Sequence, residues 1–342
     1  MRTVSRLVVA ACALLLPASA WSAVIDLTFP VTIQNRSLVP CSGAGSGAAT
    51  IAATLITPSP PTSSLTVYAH GLGFDRSFWH FDAVPGLDYV AVLADRGHAS
   101  LIIDRLGYGD STKPDGNQSC IGVQADIVHQ VIEQIRQLHP EFTRVALAGH
   151  SAGGAAAQVE AYSFHDVDAL AVISYADQGA SPDALAAFGQ AGIACATGQA
   201  PHDYASFGPS AADYSHLMFN TPRPLTGQLP LIDAGPTAEP SVIAAATAAR
   251  TLDPCGDDNS LPFEIVLSQL LLTQIQVPVL LVCGDQDAIF PPPACDLQAL
   301  HFLGNHDFTH LTIAGAGHAV TLGNTAAAFR DGVSAWLANH GF

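Results

Sequence analysis

Basic residues are scarce in this chain. Its 342 residues carry 12 lysines and arginines against 29 aspartates and glutamates, a net charge of −17, and Lys113 is the single lysine. A nucleic-acid binder needs a basic footprint to displace counterions, so that class is excluded. An acidic, lysine-poor surface equally disfavours anionic membranes. Charged residues make up 12% of the chain, against about 25% in an average globular protein, while 49% is hydrophobic. That composition excludes a disordered or fibrous chain. Beyond the first twenty residues no stretch of eighteen uninterrupted apolar residues occurs, so the mature chain is expected to be soluble, without a membrane span. No Cys-x-x-Cys or His/Cys ligand spacing is present, and no metal site is expected. Gly43, Gly45 and Gly47 miss the G-x-G-x-x-G spacing because residue 48 is alanine. A β-branched run follows them instead of a helix, so Cys41 to Gly47 reads as a hairpin turn and no nucleotide cofactor is expected.

The amino-terminal residues have a different character. Arg2 and Arg6 precede an apolar stretch, Leu7 to Leu16, and Pro17-Ala18-Ser19-Ala20 offers a small-x-small cleavage site. Residues 1–20 therefore read as a signal peptide, and the protein as secreted or periplasmic. An anchor helix, or a lipoprotein site at Cys12, would need a longer apolar stretch. Six cysteines follow: Cys41, Cys120, Cys195, Cys255, Cys283 and Cys295. In an oxidising compartment an even number fits three disulfides, with 15 possible pairings. Cys195 with Cys255 and Cys283 with Cys295 are the expected pairs, which leaves Cys41 with Cys120.

Short apolar runs then alternate with helical periodicity. Strands are predicted at residues 65–69, 99–104, 144–148, 169–175, 277–283 and 309–314. Helices are predicted near residues 89–96, 121–138, after 153, and 325–338. Such alternation predicts an α/β fold: a mostly parallel central sheet with helices on both faces. The rhythm stops across residues 181–275, which reads as a helical lid inserted between core segments 21–180 and 276–342. Helices are expected there at 183–188, 242–250 and 263–275. Arg223 and Arg250 are the lid's only bases, which suggests an uncharged substrate.

The polar residues of interest follow strand ends, where ligands bind in open parallel sheets. Gly149-His150-Ser151-Ala152-Gly153 stands between a strand and a helix, the context of a nucleophile elbow. A serine hydroxyl needs a base, and His318, in a glycine-rich loop after the last strand, is the candidate. Asp287, after the preceding strand, is the candidate acid to orient that imidazole. Asp177 is the alternative acid, and Asp285 a near neighbour. An oxyanion would be held by the backbone N–H groups of Ala152 and of Leu72 in His70-Gly71-Leu72-Gly73-Phe74.

With these residues the chain resembles the α/β-hydrolase superfamily, of the fold-1 type with a lid after the sixth strand. Asp104-Arg105-Leu106-Gly107-Tyr108-Gly109-Asp110-Ser111 is similar to that family's D-x-x-G-x-G-x-S loop. Gly284 to Pro291 is similar to its G-x-x-D-x-x-x-P acid loop, and Gly317-His318 to its histidine loop. The resemblance implies hydrolysis without a cofactor, usually of a carboxylic ester or lactone, with small-molecule or polymer esters as substrates. Dehalogenases and epoxide hydrolases of this superfamily place aspartate where Ser151 stands. Amide or C–C bond hydrolysis, perhydrolysis and a non-catalytic binding role remain open alternatives.

Overall fold

The computed structural model describes residues 23–41, 43, 45–222 and 235–342. The leader reading at residues 1–20 and the expectation for Arg223 fall outside them. The chain opens with a long hairpin, β1 (Ala23–Ile33) and β2 (Gly47–Thr57), in antiparallel register from Ala23↔Thr57 to Ile33↔Gly47. Along β1, Phe29, Val31 and Ile33 alternate inward, as expected of a sheet edge with one face wet. The connection is longer than the expected Cys41–Gly47 turn. Residues 34–40 fold back against the following helix layer, where the Arg36 N–H donates to the buried Asp126 (2.6 Å) and the guanidinium pairs with it (2.8 Å).

The alternating region follows: β3 (Ser64–Ala69), α1 (Tyr89–Asp95), β4 (Ala99–Ile103), α2 (Ile121–Leu138), β5 (Arg144–His150), α3 (Ala152–Phe164) and β6 (Ala169–Ile173). Strands β3, β4 and β6 are buried along their whole length, so their apolar runs are uninterrupted, as a sheet covered on both faces requires. On α2, Ile127, Val128, Val131, Ile132 and Ile135 are all buried, the face that the sequence period predicts. The helical insertion then holds α4 (Pro182–Ala196), a two-residue ribbon of β7 (Tyr204–Ala205) with β8 (Asp253–Pro254), α5 (Ala211–Phe219), α6 (Pro240–Ala248) and α7 (Cys255–Leu271). The core resumes with β9 (Val279–Gly284), α8 (Ala294–Ala299), β10 (Phe308–Ile313) and α9 (Ala326–Asn339).

The eight main strands are ordered β1-β2-β4-β3-β5-β6-β9-β10, parallel from β4 to β10, with β2 antiparallel to its neighbours. From β3 the chain steps to β4 on one side and then to β5 on the other. The crevice at that reversal lies outside the carboxyl ends of β3 and β5, where such sheets bind ligands. The three expected cysteine pairings are the ones that come together: Cα separations are 6.1 Å for Cys41–Cys120, 5.8 Å for Cys195–Cys255 and 6.4 Å for Cys283–Cys295. Cys195–Cys255 joins the end of α4 to the start of α7.

A fully buried ion pair joins insertion to core. Arg105, after β4, contacts Asp257 of α7 through Nη1 (2.6 Å), and both side chains are wholly shielded from solvent. Asp257 also accepts from Tyr108 Oη (3.1 Å) and Ser119 Oγ (2.7 Å). Burial alone would depress the guanidinium, but Tyr108 and Asp257 outweigh it and raise its pKa. Removing one partner of such a pair leaves an uncompensated charge, at a cost of about 3–5 kcal/mol. Urea unfolding of Asp257→Asn should therefore show a loss of about that size; a variant as stable as wild type would mean that the pair does not anchor the insertion.

Candidate active site

The turn between β5 and α3 is as tight as the pentapeptide suggests. Ser151 has φ 53° and ψ −125°, an unfavourable conformation for a residue with a side chain. Neighbouring packing holds it there. Its N–H donates to the Ile173 carbonyl of β6 (2.9 Å). A Cβ at Gly149 would collide with the Gly153 carbonyl, and one at Gly71 would lie 2.8 Å from the Ser151 Cβ. The loop after β3 and the serine turn are thus in direct contact through glycines.

His318 is wholly buried, and its Nδ1 lies 2.8 Å from Asp287 Oδ2. The other oxygen of Asp287 accepts the N–H groups of Ile289 (2.7 Å) and Phe290 (3.0 Å), which fixes the carboxylate. A carboxylate can only accept, so Nδ1 is the donor of this bond. Nε2 has no hydrogen-bond partner among the described residues, so it is not bonded to Ser151 in this conformation. The two loops meet through residue 150. His150 Nε2 donates to the His318 carbonyl (2.9 Å), and the two rings are 4.9 Å apart. Burial, then the proximity of His318, holds His150 well below the usual imidazole range, so it is neutral.

The loop after β3 is clamped by the insertion. The Gly73 N–H donates to Asp253 Oδ1 (2.7 Å), and the Gly73 carbonyl accepts from the Thr251 N–H (3.2 Å) and Tyr214 Oη (3.2 Å). Burial raises Asp253 to about 6. From the core side Arg105 Nε donates to the His70 carbonyl (2.8 Å). Leu72, 3% exposed, sits between these anchors. Ala152 is the first residue of α3. Among the described residues neither the Leu72 nor the Ala152 N–H is taken up by a hydrogen bond.

The other two carboxylates have partners elsewhere. Asp285 accepts the Gly315 N–H (2.6 Å) and so ties the acid loop to the end of β10. Asp177 is buried and accepts from Gln158 (2.9 Å) and Gln298 (3.0 Å), with no bond to His318. Glu264 of α7 joins the same network, receiving Gln158 Nε2 (2.8 Å), Ser268 Oγ (2.7 Å) and the Tyr175 hydroxyl. Sequence reasoning missed Glu264 because it belongs to a helix whose charged side faces inward.

Two clefts flank this centre, and the walls of neither include Ser151 or His318. One, about 370 Å³ and mostly apolar, lies between α4, α7 and the acid loop, with Tyr175, Leu185, Phe188, Leu261 and Phe290 in its wall. Phe290 approaches His318, ring centroids 6.0 Å apart. The other, about 770 Å³, is more polar and includes Asp75, Asp110, Lys113 and His202.

The family model for the Alpha/beta hydrolase family matches residues 66–331. The chain belongs to this family. No curated protein matches the sequence. Among solved structures it is similar to a thermophilic esterase from Thermogutta terrifontis, with TM-score 0.65 and 18% identity over 92% of this chain and 99% of that one. A monoacylglycerol lipase from Paleococcus ferrophilus gives TM-score 0.61 and 16% identity, over 93% and 99%. The enol-lactonase from Burkholderia xenovorans gives 0.57 and 19%, over 85% and 97%. At such identities the likeness is one of fold. Helices α4 and α7 are longer than the segments 183–188 and 263–275 expected from the sequence.

The paired carboxyls give a pH dependence. Burial, then repulsion from Glu264, pushes Asp177 well above the usual carboxyl range, and burial also raises Glu264. Unfolded, both ionise near pH 4 or just above. The stability linked to them is complete below that pH and is lost as pH rises through the raised folded values. Urea melts at a series of pH values should show a shallower loss toward alkaline pH for Asp177→Asn than for wild type; parallel curves would contradict this account.

Proposed function

We propose that the protein is an exported, cofactor-independent serine hydrolase that cleaves a carboxylic ester or lactone through an acyl-enzyme. The observation that carries this reading is the buried Asp287–His318 pair (2.8 Å), joined through His150 to a strained serine turn. In this reading Asp287 fixes the Nδ1–H tautomer of His318, so Nε2 is the base. Ser151 Oγ attacks the substrate carbonyl carbon as its proton passes to Nε2. A modest side-chain rotation brings the hydroxyl into reach, as is common on substrate binding. The C=O electron pair moves onto oxygen, and the N–H groups of Leu72 and Ala152 stabilise that charge. Collapse re-forms the carbonyl and expels the alkoxide, which takes the proton from His318. Water, activated by the same nitrogen, then releases the acid and regenerates Ser151.

The helical insertion, residues 181–275, acts as the lid and supplies the substrate wall. The apolar cleft beside Phe290 suits an uncharged acyl or alcohol group. Export is supported by the three cysteine pairs at bonding distance, since disulfides persist in oxidising compartments.

Ser151→Ala should abolish turnover of short p-nitrophenyl esters and leave thermal unfolding unchanged, because loss of a triad nucleophile costs on the order of 10⁶ in kcat. Activity above about a hundredth of wild type would refute the nucleophile assignment. Asp287→Asn should lower kcat by about 10⁴, as the wrong imidazole tautomer does in serine proteases, while Asp177→Asn stays within about tenfold of wild type. The reverse ranking in two folded variants would transfer the acid role to Asp177.

A further inference from the structure

Away from the serine turn, at the far end of α3, three side chains converge that the hydrolytic mechanism does not use. His129 comes from α2, Glu160 from α3 and Asp166 from the turn after α3, and one ligand atom of each lies within 4.8 Å of the others. Glu160 is wholly buried, and both of its oxygens lack a hydrogen-bond donor; Asp166 Oδ1 is likewise buried and unpartnered. Three carboxyl oxygens are thus shielded from water with no donor from the surrounding chain, and Glu160 lies close enough to Asp166 to share a proton with it. Neither nearby arginine bonds to these three oxygens. Arg136 donates to the Asp166 carbonyl (2.8 Å) and pairs with Asp168 (3.0 Å), and Arg36 pairs with Asp126. His129 Nδ1 contacts Asp166 Oδ2 (2.6 Å), and its ring stacks on Phe164 at 4.1 Å, which fixes the orientation of the imidazole.

We propose that His129, Glu160 and Asp166 form a structural binding site for a divalent transition-metal ion of the zinc class. One imidazole nitrogen and two carboxylates, with a water completing four-coordination, match that ion's donor preference. Calcium would require six to eight oxygen ligands and does not favour imidazole. Bonds of about 2.0–2.2 Å place tetrahedral donors about 3.4 Å apart, so the set closes by small side-chain torsions. The ion would pin α2 to the far end of α3, and so stabilise the folded chain by mass action. The three ligands come from separate elements, so no linear spacing marks the site.

The test uses the purified full chain, stripped with chelator and titrated with zinc chloride by calorimetry and thermal unfolding, with calcium chloride in parallel. One zinc per chain, a raised Tm and no response to calcium are expected. Glu160→Gln and His129→Ala should each weaken zinc binding by about 100-fold or more, beyond the usual cost of altering an outer-shell partner. If Glu160→Gln does not fold, Asp166→Asn takes its place. Absence of zinc binding by wild type overturns the proposal, as does binding that these substitutions leave intact, which would locate it at other histidines. Glu160→Gln more stable than wild type in a chain that binds no zinc would identify a shared proton as the group holding the cluster together, and also overturns it.

Discussion

Almost every feature around the serine turn depends on one buried cation. Arg105 stands at the carboxyl end of β4 with no exposure to water, and its charge is met by Asp257 on α7. The same guanidinium reaches the His70 carbonyl, and its planar face lies over the Tyr108 ring at 4.4 Å. A desolvated guanidinium tolerates few geometries, because each unmet donor is costly. One side chain therefore fixes the loop after β3, the glycine-rich loop after β4 and the first turn of α7 relative to one another. Helix α7 of the insertion is held as a charge partner of the core.

On that frame the serine turn is a problem of space. Gly71 and Gly149 each lie where a Cβ would touch the turn, and Ser151 occupies a conformation that only surrounding packing sustains. The insertion completes the fit by gripping Gly73 through Asp253, Thr251 and Tyr214. It also reaches the histidine loop, where the Ala319 N–H donates to the Met218 carbonyl (3.1 Å). Core and insertion thus share the placement of both loops that flank Ser151.

The sheet was legible in the sequence because burial on both faces leaves uninterrupted apolar runs, as in Val279 to Cys283. The positions of Ser151, Asp287 and His318 could be read because their loops follow adjacent or nearby strands. Of the cysteine pairs, Cys195–Cys255 and Cys283–Cys295 were expected directly and Cys41–Cys120 followed by elimination. The insertion was less so. Helix α7 buries Asp257, Glu264 and Ser268 and exposes Phe263, Val266 and Leu270, the reverse of the amphipathic pattern that marks a helix in sequence. The long connection from β1 to β2 was missed because Arg36 finds its partner 90 residues away.

That inverted helix changes what displacing α7 from the core would expose. A conventional amphipathic cover hides oil, and lifting it exposes apolar surface with a large heat-capacity change. Lifting α7 would instead hydrate carboxyl groups that the closed protein keeps dry. Its seating on the core is therefore set by proton activity and dielectric more than by hydrophobic contact, and pH, rather than salt or temperature, is the variable that would loosen it.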